Sequence, residues 1–152
     1  MKCGNDMLKG IIILTGDMLK VLCDMGHGDE LVIADANFPA DTYAKRLVRC
    51  SGIDGAQLLE AILPLLPLDS YTDRQAIVMD LTDGDKGKGM PTPEVWADYR
   101  RIIPENCEFF NDLDKIERHA FYERTKNAYA VFQTSEHRQY GNLLLVKGVV
   151  KP

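Results

Sequence analysis

Only three histidines occur in the chain, and His27 has the setting best suited to proton transfer, inside Gly26-His27-Gly28-Asp29-Glu30 with glycine on both sides. An imidazole of ordinary pKa, ~6.5, gives or takes a proton near neutral pH. The same surroundings also suit a loop histidine satisfied by local hydrogen bonds. Asp35 directly follows Leu31-Val32-Ile33-Ala34 and precedes Ala36-Asn37-Phe38-Pro39. A strand there delivers a carboxylate to the loop at its far end, where α/β folds place ligand groups. An Asx turn closed on its own backbone is the competing reading.

Arg118-His119-Ala120-Phe121-Tyr122-Glu123-Arg124 packs two arginines, a histidine, a glutamate and two aromatics into seven residues. On a helix, 118 and 122 share a face. A guanidinium offers fixed donors to hydroxyl groups, and an aromatic plane covers the C–H face of a sugar ring. A solvated helix with an Arg-Glu pair would use the same residues. Tyr140-Gly141-Asn142 adds a phenol and an amide around a glycine that admits a close backbone approach.

The elements that must position these groups alternate. Asp17 is a candidate cap for a helix over 18–25 that Gly26 stops, and Glu30–Ala34 reads as a buried strand. A second strand is expected over 45–50, a helix over 54–63 ended by Pro64, and a third strand over 75–81. Asp83-Gly84-Asp85-Lys86-Gly87-Lys88-Gly89 reads as a mobile charged loop. It lacks the GxxxxGK[ST] order of a phosphate loop. Thr92 as cap and Pro93 in the first turn predict a helix to Ile103, followed by a helix over 117–127 and strands over 128–133 and 142–147. These elements make one α/β domain over 1–152 with a mixed sheet.

Composition narrows the function classes. With 152 residues, 45% of them apolar, the chain can bury a real core. Its 18 basic against 23 acidic residues give a net charge of −5, which disfavours nucleic acid and anionic membranes as partners. The densest apolar stretch, 58–68, is interrupted by Glu60, Pro64 and Pro67 and falls short of the ~20 residues a transmembrane helix needs. The start, with Asp6 and the short run Ile11–Leu14, lacks signal-peptide features, so a cytoplasmic home is expected. Cys3, Cys23, Cys50 and Cys107 have neither CxxC nor His spacing, which reads as reduced thiols without a metal site.

Five blocks, taken in order, carry a resemblance: Met25–Glu30, Ala34–Pro39, Leu66-Pro67-Leu68-Asp69-Ser70-Tyr71, Ala120–Arg124 and Tyr140–Asn142. Together they resemble the fucose mutarotase and ribose pyranase family, on the side of its L-fucose branch, over about Leu8 to Val149. The resemblance implies a three-layer αβα fold and an isomerase without cofactor or metal. It matches His27 to the catalytic histidine, and Asp35, Arg118, Tyr140 and Asn142 to sugar-binding positions. Asn37 stands where some bacterial relatives carry histidine. The resemblance also implies homo-oligomers, decameric rings among them, with sites at or near subunit contacts.

The expected reaction interconverts the α and β anomers of L-fucose through the open-chain aldehyde, and a general acid and a general base suffice for it. A ribose pyranase is the nearest rival. A sugar-binding or regulatory module without catalysis is the rival of another class, and it would not need a titrating His27.

Overall fold

The computed structural model of the protein describes residues 13–152; Cys3 and the opening of the Ile11–Leu14 run lie outside the described residues. Six strands, β1 (Glu30–Ala34), β2 (Leu47–Cys50), β3 (Ala76–Met79), β4 (Asp114–Ile116), β5 (Ala130–Thr134) and β6 (Leu143–Val146), form one sheet in the order β2-β5-β1-β6-β3-β4. β6 runs antiparallel to both its neighbours, β1 and β3, while the other pairings are parallel. The β1–β6 register sets Glu30 opposite Val146 and Ile33 opposite Leu143. The residues before β6 therefore meet the end of β1, and the residues after β6 meet its start.

Positions 31–34 of β1 and all of β3 and β6 are buried, as expected of strands covered on both faces. Leu31 and Ile33 pack into one core with α1 (Gly16–Asp24), α3 (Gly55–Ile62) and α5 (Val95–Ile102), through Met18, Leu58, Leu59, Trp96 and Tyr99. Val32 and Ala34 face the other way, against Phe38, Ala40 of α2 (Ala40–Tyr43) and Phe121 of α6 (Arg118–Asn127). This period-two partition produces the mixed sheet expected from the elements and the three-layer αβα arrangement that the resemblance implies.

Local signals were displaced in several places. Thr15, not Asp17, caps α1, its Oγ1 accepting from the Met18 N–H at 3.3 Å, and Asp17 sits in the first turn. The glycine of positive φ after α1 is Gly28 (84°), not Gly26, whose N–H donates to Asp29 Oδ2 at 2.7 Å. Asp54 caps α3 in a reciprocal box with Gln57. α5 starts at Val95, preceded by Glu94 with no side-chain cap, rather than from Thr92. Both α2 and β4 lie in stretches too short for periodicity to register.

The largest correction concerns the expected charged loop over 83–89. Residues Asp83–Gly87 form α4, with Thr82 Oγ1 accepting from the Asp85 N–H at 3.2 Å. The cap and two aspartates in the first turn offset the poor helix propensity of Gly84 and Gly87. Lys86 Nζ reaches Asp80 Oδ2 at 2.7 Å and ties the helix back to the end of β3. No side chain of α4 is buried, so polar contacts alone seat it.

Candidate functional site

The β1–β6 pair brings the expected residues to two places, one at each end of β1. At the carboxyl end, Asp35 is buried although it is a carboxylate. Its N–H donates to Asn142 Oδ1 at 2.8 Å, its Oδ1 accepts from the Asn37 N–H at 3.0 Å, and its Oδ2 accepts from the Gly141 N–H at 3.3 Å. The Asx turn therefore forms, and the same residue also lines a cleft. Burial pushes the Asp35 carboxyl above the ordinary range, against the lowering effect of those backbone donors.

Asn142 and Tyr140 follow from the same register. Gly141 lies so close to Glu136 that a Cβ there would stand 2.9 Å from Glu136 Cγ, and 3.4 Å from Asp35 Cβ. Tyr140 adopts φ 61°, a left-handed conformation that is an outlier for a bulky residue. The buried Trp96 donates from Nε1 to the Tyr140 carbonyl at 2.9 Å, and Tyr99 Oη donates to the Gly141 carbonyl at 2.6 Å. The core helix α5 therefore holds a strained turn whose phenol points into a cleft. Strain of this kind costs of order 1–3 kcal/mol and gathers at functional sites.

That cleft has a volume of about 430 Å³, within the range of small-molecule sites. Asp35, Arg118, Tyr140 and Asn142 all line it, so four of the five residues singled out in the sequence converge. Phe38, Met79 and Tyr122 supply an apolar wall, and Thr82 and Asp85 bring the start of α4 to its rim. Arg118 Nε donates to Tyr122 Oη at 3.0 Å, with its guanidinium 5.4 Å from the Tyr122 ring centre. Glu117 caps α6 and so sets Arg118 at the first helical position. The Arg-Glu pair expected within this segment forms elsewhere: Arg124 grips Glu30 of β1 at 2.7–3.1 Å, and Glu123 pairs with Lys126 at 2.5 Å.

His27 lies at the other end of β1. The five residues of that strand alone span ~13 Å or more, so His27 and Asp35 of one chain do not share a cleft. His27 Nε2 lies 3.0 Å from Asp69 Oδ1, which also accepts from the Tyr71 N–H at 3.1 Å, and the Tyr71 ring leans over the imidazole at 5.4 Å. The end of β6 builds this second place. Lys147 accepts through its carbonyl from the Gly28 N–H at 2.9 Å, and the Val146 carbonyl accepts from the Asp69 N–H at 3.0 Å. A carboxylate only accepts, so the Asp69 contact places a proton on Nε2.

Three residues of these two places escaped the residue-level reading: Asp69 as partner of His27, and Asp85 and Thr82 around the cleft. Leu-Pro-Leu-Asp was conspicuous as a block, but nothing in it says what Asp69 faces, and the charged stretch holding Thr82 and Asp85 gives no sign of the cleft. Among the described residues, no group of three or more His, Cys, Asp or Glu is placed to hold a metal ion, and no helix is long and apolar enough to cross a membrane. Cys23, Cys50 and Cys107 are unpaired thiols, and burial pushes that of Cys50 up to about 12.

Residues 8–150 match the model of the RbsD / FucU transport protein family. The chain is 47% identical over 148 residues to a fucose mutarotase of Mus musculus, covering 94% of this chain and 95% of that protein. It is 43% identical over 144 residues to an L-fucose mutarotase of Histophilus somni, covering 94% and 97%. Among solved structures, the fucose mutarotase of Streptococcus pneumoniae in complex with L-fucose superposes with a TM-score of 0.85 at 42% identity, over 95% of this chain and 100% of that one.

Proposed function

Since the chain belongs to the RbsD / FucU transport protein family, we propose that it is an L-fucose mutarotase, interconverting the α and β anomers of the free sugar. The convergence of Asp35, Arg118, Tyr140 and Asn142 on one cleft carries this reading for the chain's own residues. Their donors and acceptors suit the hydroxyls of a sugar ring, and the apolar wall of Phe38, Met79 and Tyr122 suits the methyl group of a 6-deoxyhexose. D-Ribose has no such methyl group to fill that wall.

Anomer exchange breaks the bond between the anomeric carbon and the ring oxygen. One proton goes to the ring oxygen and one leaves the anomeric hydroxyl, giving the open aldehyde. The carbonyl rotates about its bond to the next carbon, and the same transfers in reverse close the other anomer. Nothing is oxidised and no group is lost, so an acid and a base suffice, worth ~10²–10⁴-fold. His27 handles one of these protons through Nδ1, with Asp69 orienting the ring. Asp35, Arg118, Tyr140 and Asn142 hold the sugar.

Because His27 stands at the far end of β1 from its own cleft, we assign it to the cleft of a neighbouring copy. The working protein is then a cytoplasmic homo-oligomer of single-domain protomers with its sites at subunit contacts. NMR magnetisation transfer between the α and β H1 signals of L-fucose, with D-ribose in parallel, tests the activity. Faster exchange of fucose is expected. Acceleration of ribose ring forms alone would make the protein a pyranase, and binding without acceleration of either would make it a sugar-binding module. Light scattering alongside the assay tests the shared site: a monomer of full activity would overturn it.

A further inference from the structure

Tyr140 enters the cleft with its hydroxyl already engaged. Its Oη donates to Asp85 Oδ2 and accepts from the Thr82 N–H at 3.2 Å. A carboxylate has no proton to give, so the phenolic hydrogen belongs to the Asp85 contact. Consistent with this, the Tyr140 hydroxyl is the leading cause that holds the Asp85 carboxyl below its usual range. The Thr82 amide occupies one side of the oxygen. What Tyr140 has left for a ligand is acceptor capacity and no proton.

We propose that Asp85 is a specificity-determining positioning residue: by taking the Tyr140 proton, it turns that phenol into an acceptor-only contact that demands an O–H donor from the sugar. The proposal rests on the reading of the cleft as a fucose site and deepens it. The arrangement is built from both sides. Tyr140 is fixed by its left-handed turn and the Trp96 bond to its carbonyl. Asp85 is fixed by α4, whose cap at Thr82 also supplies the amide that meets the phenol. Because no residue of α4 is buried, replacing Asp85 leaves the core untouched. An unopposed phenol would turn its hydrogen into the cleft and accept either kind of partner.

The consequence is chemical discrimination rather than general affinity. A fluorine or methoxy group is close to a hydroxyl in place but can only accept. Set against Tyr140 Oη, it would bring two acceptors together with no hydrogen between them, a mismatch that buried polar groups resist strongly.

Calorimetric titration of the whole protein with L-fucose, its 2-, 3- and 4-deoxyfluoro analogues and its methyl glycosides tests this. The readout is each analogue's Kd divided by that of fucose. The wild-type protein is expected to bind the analogue altered at one position about tenfold more weakly than fucose. In Asp85→Ala, checked for folding by circular dichroism, that ratio falls to about threefold or less at the same position. Asp85→Asn, whose amide oxygen can still accept from Tyr140, keeps the wild-type ratio. In Tyr140→Phe, adding Asp85→Ala changes the ratio no further. If Asp85→Ala weakens fucose and every analogue by the same factor, Asp85 is structural only and the proposal is overturned. The same follows if the wild-type protein penalises no analogue. Failure of the wild-type protein to bind fucose at all would remove the fucose reading itself, a distinct result.

Discussion

β1 carries a polar group at each of its ends, and the two places are built differently. At the carboxyl end, Asp35 is 5% exposed and its carboxylate is held by two backbone donors, with Tyr140 and Gly141 held by α5 and Asn142 by the Asp35 N–H. At the amino end, the His27 side chain is 47% exposed, and one contact with Asp69 and one with the Tyr71 ring are what orient it. The first place is a cleft whose Asp35 and Asn142 are buried and fixed by hydrogen bonds. The second leaves a ring nitrogen open to whatever approaches. Binding geometry benefits from rigidity, since ordering costs are already met before the sugar arrives. In the role proposed for His27, a proton carrier needs access to its partner and a fixed tautomer, and the Asp69 contact suits the latter.

This contrast can be broken most sharply at His27. His27→Ala is expected to lower the rate of fucose exchange by ~10²-fold or more with little change in thermal stability, because its side chain buries little. An unchanged rate in the folded variant would remove His27 from the mechanism.

The glycines at the two ends of β6 give the next pair. A Cβ at Gly148 would overlap the Leu68 carbonyl, a backbone atom that cannot step aside. Gly148→Ala is therefore expected to cost about 3 kcal/mol or more, seen in urea denaturation, and to detach Asp69 from His27. A Cβ at Gly141 meets the Glu136 side chain at 2.9 Å, so Gly141→Ala should cost less, about 1–2 kcal/mol. Equal losses would mean that the two ends are framed alike.

Arg118 tests the receptor end without touching its core. Arg118→Ala should raise the apparent KM about tenfold, close to 1.4 kcal/mol, with kcat nearly unchanged. A fall in kcat alone would give the guanidinium a part in proton transfer.

The smallest effect concerns pH. Burial raises the Asp35 carboxyl, so the folded state favours its protonated form. Its contribution to stability is full below the unfolded value of ~3.9 and is lost as pH rises through the folded value. The stability of the wild-type protein minus that of Asp35→Asn should therefore fall as pH is raised above the unfolded value of ~3.9. A difference that rises with pH would mean that the backbone donors outweigh burial.

Much of the cleft's lining was legible in the chain. Asp35 could be placed at a strand end because Leu31–Ala34 is apolar on both faces, and Arg118 could be placed beside Tyr122 because a helix repeats at that spacing. α4 was not legible: two glycines and alternating charges look like a loop until the Thr82 cap and the contacts of Asp85 and Lys86 are seen together. Nor was the separation of His27 from Asp35. They stand eight positions apart and invite the picture of one site, yet the extended strand between them drives them to opposite ends of the sheet.

What the sequence alone determined is what depends on short range: most strand and helix spans, an α/β class, and the residue types able to handle sugar hydroxyls and a proton. Tertiary structure alone decided which of them meet. Asp35 finds Asn142 across 107 positions, and His27 finds Asp69 across 42. Both encounters follow from β6 lying antiparallel against β1 in one register, and a shift of a single residue there would turn the buried side chains to the wrong face. Periodicity and capping act over a few residues, whereas strand pairing is settled by the packing of the whole sheet, so the site's membership is a property of the fold.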